Sequence, residues 1–183
     1  MSGMNVLGLG HDVVDVAAFA EQLALPGSRM KELFSVRELR QAMARAKTKH
    51  DGETVHLAAK WAGKEAVLKS WEQALGDNPS PYTLDNFPWR GIEILDDGRG
   101  RPQVVLTADV SRALHDGLPF ASMSVHPMPD CGAASRMSFG TASDQSFSAD
   151  IPDRRGGGPM LTFRISLSHD GPIASAMVML CAG

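Results

Sequence analysis

Apolar and polar positions change rhythm several times along the chain, and each change marks an element. Residues 5–11 form a short apolar run in which Gly8 and Gly10 leave room for a close backbone neighbour, which predicts a strand. Asp12 then opens a helical pattern over 13–25 that Pro26-Gly27 ends. Residues 29–45 read as helix broken near Ser35, where Ser35-Val36-Arg37-Glu38 has the form of a capping box, and 47–53 read as a polar loop. The clearest helical spacing runs over 54–71, before a loop over 76–88 rich in Pro, Asn and Asp. Strand-like segments at 91–96 and 102–106 make a hairpin around Asp97-Gly98-Arg99-Gly100, and Thr107 opens a helix over 107–115. A second hairpin joins 161–169 to 173–180 across Gly171-Pro172. Between them, 117–160 has no sustained periodicity, is rich in Ser, Gly, Pro, Met and Asp, and contains Gly156-Gly157-Gly158. It is expected to be a flexible insertion.

Length and composition narrow the class. A chain of 183 residues suits a single domain over 1–183, and 43% hydrophobic residues suffice for a core. A net charge of −3 provides no global positive field, which argues against nucleic acid or an anionic membrane as partner. Cys131 and Cys181 match no metal or redox spacing, so reduced thiols are expected. No apolar run is long enough to span a bilayer, and the N-terminus lacks a basic region followed by an apolar stretch. The expected location is the cytoplasm.

Three clusters carry candidate chemistry. On the helix over 54–71, Leu57, Ala58, Trp61, Leu68 and Trp71 fall on one face, and Glu65 projects from the middle of that stripe. Lys60 lies toward the other side, and Lys64 and Lys69 flank the stripe. Glu65 has two readings. One is an i,i+4 pair with Lys69 worth about 0.2–0.5 kcal/mol; the other is a metal ligand facing a cleft, with lysines beside it for phosphate. Asp12, at the junction of strand and helix, can cap the helix or join Glu65 in holding a hard cation such as magnesium, which takes carboxylates together with substrate phosphates. The third cluster is Ser166-Leu167-Ser168-His169-Asp170, where alternation puts Leu167 and His169 on one face and Ser166, Ser168 and Asp170 on the other. That alternation favours a hairpin end over a catalytic triad.

In this order the clusters resemble the holo-acyl-carrier-protein synthase family of 4'-phosphopantetheinyl transferases. The resemblance rests on Gly8-Leu9-Gly10-His11-Asp12, on Lys60-Trp61-Ala62-Gly63-Lys64-Glu65-Ala66-Val67-Leu68-Lys69, on Gly100-Arg101-Pro102, and on Ile165-Ser166-Leu167-Ser168-His169-Asp170. It implies a compact α+β fold, with an antiparallel sheet and a long central helix, and a homotrimer with active sites between subunits. It further implies transfer of 4'-phosphopantetheine from coenzyme A to a serine of an apo acyl carrier protein, in fatty acid biosynthesis, leaving 3',5'-ADP. Asp12 and Glu65 match the magnesium ligands, and Asp12, Glu65 and Lys69 the catalytic positions. Lys64 and Lys69 match contacts to the coenzyme A phosphates, Lys60 a basic position near the 3'-phosphate, Gly100, Arg101 and Pro102 the adenine loop, and Ser166 and His169 the last strand of the site.

Some positions depart from the family pattern. Lys60 stands where many relatives have Arg, which keeps the charge and loses the bidentate geometry. Gly63 replaces a usual Ala. The pattern over 13–25 has no basic residue, and positive charge comes instead at Arg29, Lys31, Arg37 and Arg40. In that respect the chain is similar to relatives acting on carrier domains of type I fatty acid synthases. The competing readings are a non-catalytic module that binds coenzyme A or a synthase, and a metal-assisted hydrolase using His169 and Asp170.

Overall fold

The computed structural model describes residues 4–119 and 159–183. In chain order its elements are β1 (Asn5–Asp15), α1 (Val16–Ala24), α2 (Val36–Lys49), α3 (Glu53–Leu75), β2 (Ile92–Asp96), β3 (Pro102–Leu106), α4 (Ala108–Gly117), β4 (Leu161–Asp170) and β5 (Ile173–Ala182). Single 3-10 turns at Met30–Leu33 and Trp89–Gly91 precede α2 and β2. Strands β1, β5 and β4 form one antiparallel sheet in that order, and β2 and β3 form a separate hairpin. The chain is thus α+β, with the long α3 packed across β1 and β5.

Two glycines explain how closely strand and helix meet. A Cβ at Gly8 would stand 2.0 Å from the Ser70 carbonyl oxygen, and one at Gly10 would stand 1.9 Å from that of Ala66. Only hydrogen at these positions lets the backbone of β1 lie on the backbone of α3. Strand β5 adds Ala174, Ala176, Val178 and Leu180 to the same core, all fully buried. Helix α3 supplies Leu57, Ala58, Ala62, Ala66, Val67, Trp71 and Leu75.

Two sequence expectations change here. The helical pattern expected from Asp12 onward begins later: β1 runs on to Asp15, pairing residue by residue with β5 as far as Asp15 opposite Ile173. The β-branched Val13 and Val14 suit that extension, and Asp15, not Asp12, caps α1 by accepting from the Ala18 amide at 2.9 Å. The apolar stripe of α3 marks its buried side only in part: Leu57, Ala58 and Trp71 are buried. Trp61, Glu65 and Leu68 are half-buried, whereas Lys60, Gly63, Lys64 and Ser70 lie inside, because α3 is covered by strands, α2 and the β2–β3 hairpin together. The capping box is present as expected: Ser35 Oγ accepts from the Glu38 amide at 3.2 Å, and Glu38 Oε2 from the Ser35 amide at 2.8 Å. The insertion expected over 117–160 lies, apart from its ends, outside the described residues. Among the described residues no helix is long and apolar enough to cross a membrane.

Candidate active site

Alternation along β1 turns Asp12 inward toward α3, two residues past Gly10, and the close strand–helix approach brings it against Glu65. Asp12 is buried. Its Oδ1 accepts from Lys69 Nζ at 2.7 Å, and Lys69 also donates to the His11 carbonyl at 3.1 Å. The i,i+4 pair of Glu65 with Lys69 is therefore not formed; the lysine reaches across to the strand. The second oxygen of Asp12, Oδ2, is buried and has no partner. Glu65 feels both surroundings and neighbour. Burial first, then the negative charge of the adjoining Asp12, push its pKa up to about 7, against the pull of Lys69. Two carboxylates forced together, one with an orphaned oxygen, are an unstable arrangement without a proton or a cation between them. Their hard oxygen donors fit magnesium. Among the described residues no group of three or more His, Cys, Asp or Glu side chains could hold a metal, so a cation here would take its remaining ligands from water and phosphate.

Lys64 is not where the sequence reading put it. It has no exposed surface: its ammonium sits 3.0 Å from Glu38 Oε2, donates to the Trp89 carbonyl at 2.7 Å, and also donates to the Ile92 carbonyl. It faces β2, away from the Asp12–Glu65 pair, because successive helix positions are turned by about 100°. Burial lowers its pKa, and Glu38 works in the opposite direction. Lys60 points the same way, donating to the Ile94 carbonyl at 2.6 Å and to Gln41 Oε1 at 3.3 Å, and burial lowers its pKa too.

A second feature lies at the N-terminal end of α3. A cavity of about 210 Å³ is walled by Arg45, Lys49, His56 and Lys60, by Asp96, Gly100 and Pro102 of the hairpin, and by His169 of β4. His56 Nε2 is 2.7 Å from Asp51 Oδ1, and its ring meets that of His169 edge-on with centroids 5.7 Å apart. Arg45 contacts Asp96 at 3.2 Å and the Gly100 carbonyl at 3.0 Å. With three basic side chains against one carboxylate, the cavity favours an anion. The sequence reading placed Lys60, Gly100, Pro102 and His169 in a site, and the structure brings these four together. It missed Arg45, Lys49 and His56, whose helical spacing on α2 and α3 gave no signal because their common neighbour is a hairpin distant in sequence. Arg101 is tied to Asp97 at 2.8 Å and is not among the lining residues. Ser166 is exposed opposite Met177, on the sheet face that points away from α3. Of the four basic residues that follow the pattern over 13–25, Arg29 pairs with Glu32 at 2.7 Å and Arg37 with Glu93.

Comparison with known proteins extends this picture. Residues 8–122 match the model of the 4'-phosphopantetheinyl transferase superfamily. The holo-[acyl-carrier-protein] synthase of Bifidobacterium adolescentis is 47% identical over 184 residues, covering 96% of this chain and 99% of that protein. The synthase of the same name from Bifidobacterium animalis subsp. lactis is 46% identical, covering 96% and 97%. Among solved structures, the ACPS–CoA complex of Chronobacterium ammoniagenes superposes with a TM-score of 0.67 at 27% identity, covering 100% of this chain and 99% of that one.

Proposed function

We infer the reaction from family and site together: the chain belongs to the 4'-phosphopantetheinyl transferase superfamily, and it moves 4'-phosphopantetheine from coenzyme A to a serine of an apo acyl carrier protein. The observation that carries this reading is the Asp12–Glu65 pair with its orphaned oxygen, flanked by Lys69. A module that only held coenzyme A would have no use for two carboxylates pressed together, and among the described residues no group of three or more His, Cys, Asp or Glu side chains around His169 and Asp170 could hold the metal of a hydrolase.

In this reading the serine hydroxyl attacks the β-phosphorus of coenzyme A, the serine oxygen–phosphorus bond forms as the bond from that phosphorus to the oxygen bridging the diphosphate breaks, 3',5'-ADP leaves with that oxygen, and the hydroxyl proton passes to solvent. Bound between Asp12 and Glu65, magnesium would supply charge neutralisation and alignment for the diphosphate. Lys69 is half-exposed, with its ammonium on Asp12, and can turn to a phosphate oxygen. The cavity at Arg45, Lys49, Lys60 and His169 takes the nucleotide end, with Gly100 and Pro102 as its hairpin wall. Lys64 acts from inside, as a support for β2 rather than a phosphate contact.

Two finer points belong to the same reading. Helix α1 carries no Lys or Arg, which supports a carrier domain of a type I fatty acid synthase as acceptor, met in the cytoplasm. The outer sheet face exposes Leu9, Val13 and Met177, which supports a homotrimer in which a neighbouring copy covers this face and Ser166 borders the shared site. The test is incubation with coenzyme A, magnesium and apo carriers, both free and embedded, followed by mass spectrometry of the carrier. Gain of phosphopantetheine is expected; no gain on any carrier overturns the reading.

A further inference from the structure

Among the described residues, strand β2 has β3 on one side and no strand on the other, yet the backbone groups on its open edge are satisfied. The Ile92 amide donates to the Trp89 carbonyl, the Ile94 amide to Glu38 Oε1 at 2.9 Å, and the Asp96 amide to Gln41 Oε1 at 2.9 Å. The carbonyls of Ile92, Ile94 and Asp96 accept from Lys64, from Lys60 at 2.6 Å and from Gln41 Nε2 at 2.9 Å. Side chains of α2 and α3 thus stand in for a missing strand, which answers the demand of buried backbone groups for partners. Arg45, one turn beyond Gln41, continues the row to Asp96 and to the Gly100 carbonyl. Gly100 has φ 78°, a left-handed conformation that glycine adopts without strain, and it lies directly against the Arg45 guanidinium.

Within this row Gln41 is distinct. It both accepts from and donates to Asp96, the last residue of β2 before the loop, and it also accepts from Lys60. It is not itself among the residues lining the cavity. We propose that Gln41 is a positioning residue: by clamping Asp96 and Lys60 it holds the Gly100 loop and the cavity floor where the nucleotide end of coenzyme A is taken up. This rests on the assignment of that cavity to the nucleotide.

Two variants test it in the full chain. Gln41→Met keeps length and removes every hydrogen bond; Gln41→Glu keeps the acceptor for the Asp96 amide and Lys60 and loses the donor. In Gln41→Met the KM for coenzyme A is expected to rise about tenfold while kcat stays within about twofold and the KM for carrier is unchanged. Amide exchange at Asp96 should quicken, and Gln41→Glu should recover part of the coenzyme A affinity. If Gln41→Met fails to fold, Gln41→Glu alone still shows a raised coenzyme A KM at unchanged carrier KM. An unaltered coenzyme A KM in an active background, equal losses toward carrier and coenzyme A, or a Glu variant no better than Met overturns the positioning role alone. A wild type that neither binds coenzyme A nor loads a carrier overturns the functional reading and this role with it.

Discussion

Glu65 is the residue on which charge and proton trade places. Its pKa in the metal-free chain lies near 7, above the ordinary 4.5, so the folded chain binds this proton more tightly than the unfolded chain does. The stability gained from that proton is fully present below the unfolded value and is lost as pH rises through the folded one. Between these values metal-free wild type should therefore weaken as pH rises, and Glu65→Gln, which has no such proton to lose, should not. We expect the melting temperature of Glu65→Gln to match wild type near pH 5 and exceed it near pH 8 in chelator. Saturating magnesium should restore wild type relative to the variant by stabilising the native state. Parallel melting curves at both pH values would remove Asp12–Glu65 repulsion as the cause. The same variant should lower transfer at least about 100-fold, since in the proposed reaction the lost carboxylate would hold the charge-neutralising ion; near-wild-type turnover at limiting magnesium would take Glu65 out of the site.

At the scale of elements, the contact of β1 with α3 sets the distance between the two acids. Gly10→Ala drives a methyl group toward the Ala66 carbonyl oxygen, 1.9 Å away, and neither backbone can yield alone. Overpacking of this kind costs about 1–3 kcal/mol or more, and here it also parts Asp12 from Glu65. We expect lowered stability in urea together with a raised magnesium requirement; a stable variant with unchanged magnesium dependence would mean the strand can slide without moving Asp12. The pair Lys64–Glu38 ties α3 to α2 with neither side chain exposed. Lys64→Met leaves Glu38 charged and buried, at a cost of about 3–5 kcal/mol, and Glu38→Gln added to it should recover part of that loss in the same denaturation series.

Much of this architecture was legible in the sequence, for local reasons. The capping box at Ser35, both hairpins and the core of α3 follow from short-range pattern, and the ordered motifs pointed to Asp12, Glu65 and Lys69. The orientation of α3 was not legible. A helix covered by strands, another helix and a hairpin has no single apolar face, so Trp61 and Leu68 looked inward when they are half-exposed. The buried lysines looked outward because their partners, Glu38 and the β2 carbonyls, are remote in sequence and chemically ordinary. The same remoteness hid Arg45, Lys49 and His56.

For the whole molecule, the outer face of the three-stranded sheet decides whether one copy suffices. Leu9, Val13 and Met177 remain 48%, 52% and 50% exposed on it, with Met179 opposite Leu9 and Met177 opposite His11. His11 and Ser175 meet at 3.2 Å between them. Apolar side chains gathered on one sheet face are costly in water and mark an interaction surface. Gly8, Gly10, Asp12 and Val14 alternate with these residues on the opposite side, so a partner seated on the outer face would lie one strand thickness from the acids. If three copies meet through it, Val13→Asp combined with Met177→Glu should turn a trimer into a monomer by light scattering while leaving the helical circular dichroism of the chain intact. Asp12 on the inner face of β1 and Glu65 on α3 are untouched by those substitutions, so the monomer separates two roles for assembly. Loss of carrier loading in a folded monomer would show that the neighbouring copy completes the site, as the exposed Ser166 on the same face suggests. Full loading by the monomer would confine the site to one chain, and an oligomer that survives both charges would move the interface to another surface.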